Sequence, residues 1–332
     1  MKLTILGTGH VGAATAFCAV LRGACSELVL VNRTRDTAEG EALDLAHAAS
    51  LTPDPPRVRA GDVRDADGSG VVVVTLSVPW DLDRHGSRMD LAADNLRLFR
   101  EWIPKVAEHA PDATLLVVTN PVDVMTWHAL KISGFAAKRV IGTGTLIDSA
   151  RYRTALSGEI GVHPDDIRAY ILGEHGDSQF PLLSTAVTGG ERFYDSDLTR
   201  RLFERTVRSG YEVTKLKGYT NWAVATASVE IVRAIADDSR RTLPVSVLLD
   251  AATVRGWPGL AAATHGPGGT AWPGEVCLSV PAVIGRGGVR RVLRPELNAD
   301  EAKALVASAA AVRAGIEAGA ADGGEEERGG DG

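Results

Sequence analysis

Cysteine is scarce in this chain. The 332 residues hold three, Cys18, Cys25 and Cys277, odd in number and without metal-like spacing. That argues against a disulfide framework and for a reducing compartment. A basic excess is missing too: net charge is −6, and no basic face points to nucleic acid. The acidic surplus is uneven. From Ala318 on, Asp322, Glu325, Glu326, Glu327 and Asp331 stand against one cation, Arg328. No apolar run reaches membrane-spanning length, and the chain opens almost directly on a strand, leaving no room for a signal peptide. The expectation is a cytoplasmic protein with neither a nucleic-acid nor a membrane partner. A composition of 45% hydrophobic and 23% charged residues is that of a globular chain with one large or two modest domains.

The N-terminus carries the first chemical signal. Leu3-Thr4-Ile5-Leu6 reads as a short apolar strand, followed by Gly7-Thr8-Gly9-His10-Val11-Gly12 and a helical run from Ala13 to Leu21. Strand, G-x-G-x-x-G and helix in this order put a pyrophosphate on backbone amides at a helix N-terminus. Gly7 permits the sharp turn, Gly9 lets phosphates approach, and Gly12 lets helix and strand pack closely. The second strand, Leu28 to Val31, ends at Asn32 where an NAD-binding unit usually has an acid for the adenine ribose. A neutral amide does not repel a 2′-phosphate, and Arg33 and Arg35 offer charge-assisted bonds to one. The cofactor is therefore NAD or NADP, with this end favouring NADP. The alternative is that both arginines are solvated loop charges.

Strand and helix keep alternating. Val71 to Val74 is a continuous β-branched run, as a strand buried on both faces should be. It opens into a polar loop, Val78 to Arg88, ahead of a helix from Met89 to Glu108. Thr114 to Val118 forms the next strand and ends in Thr119-Asn120-Pro121-Val122-Asp123, which puts Asn120 at the carboxyl end facing the same crevice. Pro121 suits the first position of the following helix. Arg139 to Gly142 closes the sheet, and a helix follows from about Leu146.

This α/β alternation predicts a Rossmann doubly wound parallel sheet over residues 1–145, followed by a mixed α+β substrate domain over 146–317. In the second part, strands are expected near 167–173, 180–187, 243–249 and 276–283. Helices are expected near 196–215, 221–238 and 299–318. Arg255 to Gly274 reads as an irregular loop, and 318–332 as a disordered acidic tail.

The stretch Ile171-Leu172-Gly173-Glu174-His175-Gly176-Asp177-Ser178 reads as an apolar strand ending in a tight charged turn. A histidine at such a turn is, by itself, more often structural than catalytic. Its weight comes from company: the glycine loop, Arg88 in a polar loop, and Asp148 and Arg151 one helical turn apart, where both side chains can point to one face.

Six motifs stand in one order: Gly7–Gly12, Asp44-Leu45-Ala46-His47-Ala48, Thr119–Asp123, Asp148-Ser149-Ala150-Arg151, Gly173–Ser178 and Gly218-Tyr219-Thr220-Asn221-Trp222. The series, spanning about residues 2 to 317, resembles the L-lactate/malate dehydrogenase family, nearer its lactate branch. The resemblance implies reversible hydride transfer between a nicotinamide and a small 2-oxo or 2-hydroxy acid, by a homo-oligomer (tetramer or dimer). It makes His175 the acid/base, Asp148 the holder of its other ring nitrogen, and Arg151 the clamp on the substrate carboxylate. Those roles fit the residue types, since imidazole exchanges protons near neutral pH and guanidinium binds carboxylate through a two-bond fork. The resemblance also makes Arg88 the cation that polarises the carbonyl as its loop closes, Asn120 the active-site asparagine and Thr220 the pocket threonine. Arg153 and Arg168 match positions where bacterial members bind a sugar bisphosphate between subunits.

Departures bear on the substrate. The family's selecting residue, glutamine or arginine, falls here on Trp80 or Asp81, in a loop about two residues longer. No arginine stands in register to read a second carboxylate, although Arg84 comes near, which speaks against malate. Trp80 either lines a pocket for a 2-oxo acid bulkier than pyruvate or packs on the closed loop. Ser77 replaces the glycine usual after that strand. Competing readings are a malate dehydrogenase-type activity, an NAD- and metal-dependent glycosidase of the same fold, and a non-catalytic dinucleotide sensor. No cysteine lies near the site motifs to supply the glycosidase's metal site. A sensor would have no need of Arg88, Asp148, Arg151 and His175 together.

Overall fold

A computed structural model of the chain describes residues 1–78, 91–265 and 269–322. Its first half holds six strands: β1 (Lys2–Leu6), β2 (Glu27–Val31), β3 (Arg57–Ala60), β4 (Ser69–Val74), β5 (Thr114–Val117) and β6 (Val140–Gly142). Helices α1 (His10–Leu21), α2 (Arg35–Ala49), α3 (Leu91–His109) and α4 (Val122–Ser133) alternate with them, and α5 (Leu146–Ile160) follows β6. The six strands are parallel in the order β3-β2-β1-β4-β5-β6. This is the doubly wound arrangement, and its order reverses between β1 and β4, where such sheets open a ligand crevice at their carboxyl ends.

The strand pattern explains the layering. Successive side chains point to opposite faces, so in β4 Val71 and Val73 join the cluster containing α1 and α2, while Val72 and Val74 join that containing α3 and α4. All four valines are fully buried, each contributing roughly 1.5–3 kcal/mol relative to exposure. The short edge strand β3 was not expected. Its sequence, Arg-Val-Arg-Ala, lacks an apolar stripe, and Arg59 is instead tied to Glu27 at 3.1 Å and Asp65 at 2.9 Å.

The second half builds one sheet of its own and extends the first. Strands β7 (Ile167–Leu172), β8 (Phe180–Thr188) and β9 (Glu191–Arg192) form a sheet of their own. Helices α6 (Asp197–Lys217) and α7 (Trp222–Ala236) come next, and α7 packs on α1. Then β10 (Arg241–Leu249), β11 (Val276–Gly285) and β12 (Gly288–Val292) add three antiparallel strands to the first sheet, which becomes nine-stranded. The junction is one pairing, Ser246 with Gly142. A β-carbon at Gly142 would stand 2.9 Å from that of Ser246 and 2.3 Å from Thr126 Oγ1, so the bare glycine lets the two halves share a sheet.

The stretch expected as an irregular loop holds a short helix, α9 (Leu260–His265), preceded by α8 (Ala251–Val254). It is pinned by Trp257, a buried indole whose N–H donates to Pro295 O at 2.7 Å. The last helix, α10 (Ala299–Asp322), runs on through residues 318–322, which the sequence reading placed in the disordered tail. Pro121 is the N-cap of α4 rather than its first helical residue, and the Asn120–Pro121 peptide is cis. Among the described residues, no helix is long and apolar enough to cross a membrane.

Candidate active site

The glycine loop is shaped by three different constraints. Gly7 has φ +95° and donates its N–H to Val31 O at 2.8 Å. A β-carbon at Gly12 would lie 1.9 Å from Gly7 O, so only glycine lets α1 start so close to the turn. Gly9 has no atom within 4 Å of where its β-carbon would be, which leaves the loop open on that side. No side chain caps the N-terminus of α1, and Thr8 Oγ1 is buried without a hydrogen-bond partner. Free amides at a helix start, open space before them and an unpartnered hydroxyl fit the pyrophosphate of a dinucleotide.

At the end of β2, Asn32 is half-buried and its amide donates to Thr34 O at 3.3 Å. Arg33 is exposed beside it. Arg35, expected to share a 2′-phosphate with Arg33, donates instead to Glu39 at 2.7 Å. Both members of that pair are more than half exposed, and such pairs contribute only about 0.3–0.5 kcal/mol.

The histidine turn is held from several sides. Just past the end of β7, Gly173, φ +93°, exchanges two 3.0 Å backbone hydrogen bonds with Ser279 of β11. A β-carbon there would stand 2.4 Å from Ser308 Oγ on α10, and that hydroxyl accepts the Glu174 N–H at 3.2 Å. The Glu174 carboxylate folds back to accept from Ser178 Oγ at 2.5 Å. These contacts rigidify the turn that presents His175.

His175 Nδ1 lies 2.6 Å from Asp148 Oδ2, and Arg151 Nη1 donates to Asp148 Oδ1 at 3.3 Å. Asp148 is 2% exposed. A carboxylate accepts only, so the proton of the neutral ring sits on Nδ1 and Nε2 is the free base. The i and i+3 positions on α5 bring carboxylate and guanidinium onto one face. Thus the structure brings Asp148, Arg151 and His175 together.

A third carboxylate, absent from the expected set, takes part. Asp123 Oδ2 accepts the His175 backbone N–H at 2.6 Å, and its Oδ1 accepts from Ser246 Oγ at 2.6 Å. Burial pushes its pKa up to about 7 against the opposing pull of these hydrogen bonds and of His175. Asp123 belongs to the Thr119–Asp123 motif, so a signal existed, but nothing local shows that it reaches residue 175.

Asn120 lies where the end of β5 was expected to face the crevice. Its backbone carbonyl accepts from Asn95 Nδ2 at 2.8 Å, and Asn95 Oδ1 accepts the Val78 N–H at 2.9 Å. Fully buried Asn95 thereby ties the exits of β4 and β5 together, another role the sequence reading missed. The Asn120 side-chain oxygen is buried without a partner. Such an acceptor costs about 1–3 kcal/mol unless a donor reaches it, which suits a site completed by ligand. Thr220 sits half-buried between α6 and α7, in a turn touching the glycine loop through Tyr219. Trp80 and Arg88, like Asp81 and Arg84, lie outside the described residues.

Arg153 and Arg168 line one cleft of about 1080 Å³ between α5, α6, α7 and β10. Arg151 lines it too, whereas His175 does not. Burial and the neighbouring Arg168 and Arg241 draw the Arg153 guanidinium below its ordinary pKa, against the pull of Tyr170 and Asp165.

Comparison with known proteins identifies the family of the chain as a whole. Residues 1–142 match the model of the lactate/malate dehydrogenase NAD binding domain, and residues 145–322 that of the lactate/malate dehydrogenase alpha/beta C-terminal domain. An L-lactate dehydrogenase of Gloeobacter violaceus is 38% identical over 324 residues, covering 94% of this chain and 92% of its own. L-lactate dehydrogenase A of Hordeum vulgare is 38% identical over 321 residues, covering 93% and 84%. Among solved structures, a lactate dehydrogenase from a Medee basin deep-sea metagenome library superposes with a TM-score of 0.84 at 30% identity, covering 96% of this chain and 98% of its own.

Proposed function

This chain belongs to the lactate/malate dehydrogenase family, and we propose that it is an L-2-hydroxy acid dehydrogenase of the lactate type. It is an oxidoreductase acting on a CH–OH group with a nicotinamide cofactor. The observation that carries the finer reading is Asp148 holding both His175 Nδ1 and Arg151. A base with a fixed tautomer beside a carboxylate clamp is what interconversion of a 2-hydroxy and a 2-oxo acid requires.

When bound, the nicotinamide supplies a hydride to C2 of the 2-oxo acid and takes one back in the reverse direction. Arg151 grips the substrate carboxylate through a fork that fixes which face of C2 is presented. Protonated at Nε2, His175 gives that proton to the ketone oxygen as the alcohol forms, and recovers it on oxidation. Asp148 keeps Nδ1–H in place and stabilises the imidazolium before the transfer. Arg88 is assigned the polarisation of the carbonyl and the developing charge on its oxygen.

The cofactor end of the site is read as tolerant of NADP rather than selective for it. Asn32 adds no negative charge and Arg33 is exposed beside it, but Arg35 is already engaged by Glu39. The substrate is assigned as a 2-oxo acid of pyruvate size or larger, on the grounds that in sequence the family's selecting position falls on Trp80 or Asp81 and not on an arginine. Arg153 and Arg168, in one cleft, support binding of an anionic effector such as a sugar bisphosphate. Large apolar side chains left exposed, Leu21 on α1, Leu43 on α2 and Trp222 on α7, support a homo-oligomer.

The test is a panel of pyruvate, oxaloacetate, branched and aromatic 2-oxo acids against NADH and NADPH. Turnover of pyruvate or a bulkier acid is expected. Activity confined to oxaloacetate would move the enzyme to the malate branch. Oxidation of neither cofactor with any acid would sink the reaction itself.

A further inference from the structure

His10, first residue of α1, stacks face to face on Tyr219, with ring centroids 3.8 Å apart and planes 6° from parallel. The two rings come from opposite sides of the site. His10 stands inside the glycine loop, at the helix start that fits the cofactor's phosphates. Tyr219 lies next to Thr220 in the short turn between Gly218, the left-handed C-cap of α6, and Asn221, the N-cap of α7.

That turn is otherwise bonded to its own two helices. Gly218 N–H donates to Thr214 O at 2.8 Å, Lys217 Nζ to Asn221 Oδ1 at 2.5 Å, and Ala225 N–H to Asn221 O at 2.9 Å. The Lys217 ammonium also lies over the rings of Tyr219, at 4.6 Å, and Trp222, at 4.9 Å. These contacts shape the turn from within, while the packing of α7 on α1 sets the general placement of the two helices. Between the turn itself and the glycine loop, the stacked pair is the direct side-chain contact.

We propose that the His10–Tyr219 stack is a positioning latch that couples the cofactor loop to the substrate pocket by holding Thr220 in register with the start of α1. Neither ring is assigned a part in the proton or hydride transfer. His10 acts through Tyr219, and Tyr219 through the backbone of its neighbour. The latch rests on the dehydrogenase reading for its consequence in turnover, but not for its existence. Face-to-face contact needs a flat ring at position 10 and no particular charge, so phenylalanine should replace histidine where alanine cannot.

The test is a double-mutant cycle of His10→Ala and Tyr219→Leu, with His10→Phe as the conservative variant, each checked for an unchanged thermal midpoint. The first readout is amide hydrogen exchange of residues 217–222 without substrate. The second is KM against kcat for the best 2-oxo acid. His10→Ala should raise both exchange in the turn and KM by about 3- to 10-fold, the span of one aromatic pair, with a smaller fall in kcat. Tyr219→Leu should do the same, the double variant should be no worse than either single one, and His10→Phe should restore both readouts. Unchanged exchange in His10→Ala, additive losses in the double variant, or a His10→Phe as impaired as His10→Ala would each overturn the latch. If the wild type turns over no 2-oxo acid while the exchange effect stands, the dehydrogenase reading fails and the latch survives.

Discussion

Asp123 and His175 are joined by a 2.6 Å hydrogen bond from the histidine's backbone N–H to the carboxylate, across 52 positions of sequence. Asp148 holds the ring of the same residue and Asp123 holds its main chain. Orientation of the imidazole is therefore set at two points, one on α5 and one on α4. A base fixed at one point only could swing about the bond between its α- and β-carbons and lose its aim at the ketone oxygen.

Asp123 gives a pH dependence whose sign can be worked out. Burial raises its pKa from 3.8 to about 7, so between those values the folded state binds more protons than the unfolded one. Its stabilising contribution is fully present below about pH 4 and is lost as pH rises through about 7. Asp123→Asn should flatten the fall in unfolding free energy over that window, measured by urea titration at a series of pH values. An equally steep fall in the variant would show that another group carries it.

Arg151→Lys keeps the charge but not the fork. Loss of one charge-assisted bond should raise KM for the 2-oxo acid by about 10- to 100-fold. KM for the nicotinamide cofactor should stay within a factor of about two, because the clamp meets only the carboxylate. Steady-state kinetics with each substrate varied in turn decides it. Equal losses on both sides would mean that Arg151 is structural.

Gly12→Ala places a β-carbon 1.9 Å from Gly7 O, and a carbonyl in a tight turn cannot move aside cheaply. The substitution should cost about 1–3 kcal/mol of stability and weaken cofactor binding, read by quenching of tryptophan fluorescence on adding NADH. Gly9→Ala meets nothing in the protein itself, so it should leave the thermal midpoint unchanged while still weakening the cofactor. If both glycines behaved alike, the division between a packing glycine and an approach glycine would be wrong.

Arg33→Ala tests the ribose end. Removing an exposed guanidinium that meets a 2′-phosphate should lower kcat/KM for NADPH about 10-fold and leave that for NADH within a factor of about two. Glu39→Gln frees Arg35 from its partner and should shift the ratio toward NADPH. If NADPH use does not respond to either change, Asn32 and its neighbours take no part in choosing the cofactor.

Local spacing made part of this protein legible before any coordinates. The order strand, Gly7–Gly12, helix is one continuous stretch, so its geometry follows from chain stereochemistry. The valine run of β4 announces a strand buried on both faces. Asp148 and Arg151 share a face because three residues nearly complete a helical turn. Where the pattern was weak, the reading failed: β3 carries charges on alternate residues, and α9 is a six-residue helix in a Gly- and Pro-rich stretch.

The sequence by itself determined the class of fold, the cofactor loop and the chemical types of the groups around His175. Only the tertiary structure decided that Asp123 reaches the His175 main chain, that Asn95 ties together the exits of β4 and β5, that Gly142 admits Ser246 and so fuses two halves into one nine-stranded sheet, and that His10 lies against Tyr219. Each of these is a contact of a few ångströms between residues 17 or more positions apart. Periodicity and turn chemistry act over a handful of neighbours, whereas such contacts exist only once the packed elements have brought distant parts of the chain together.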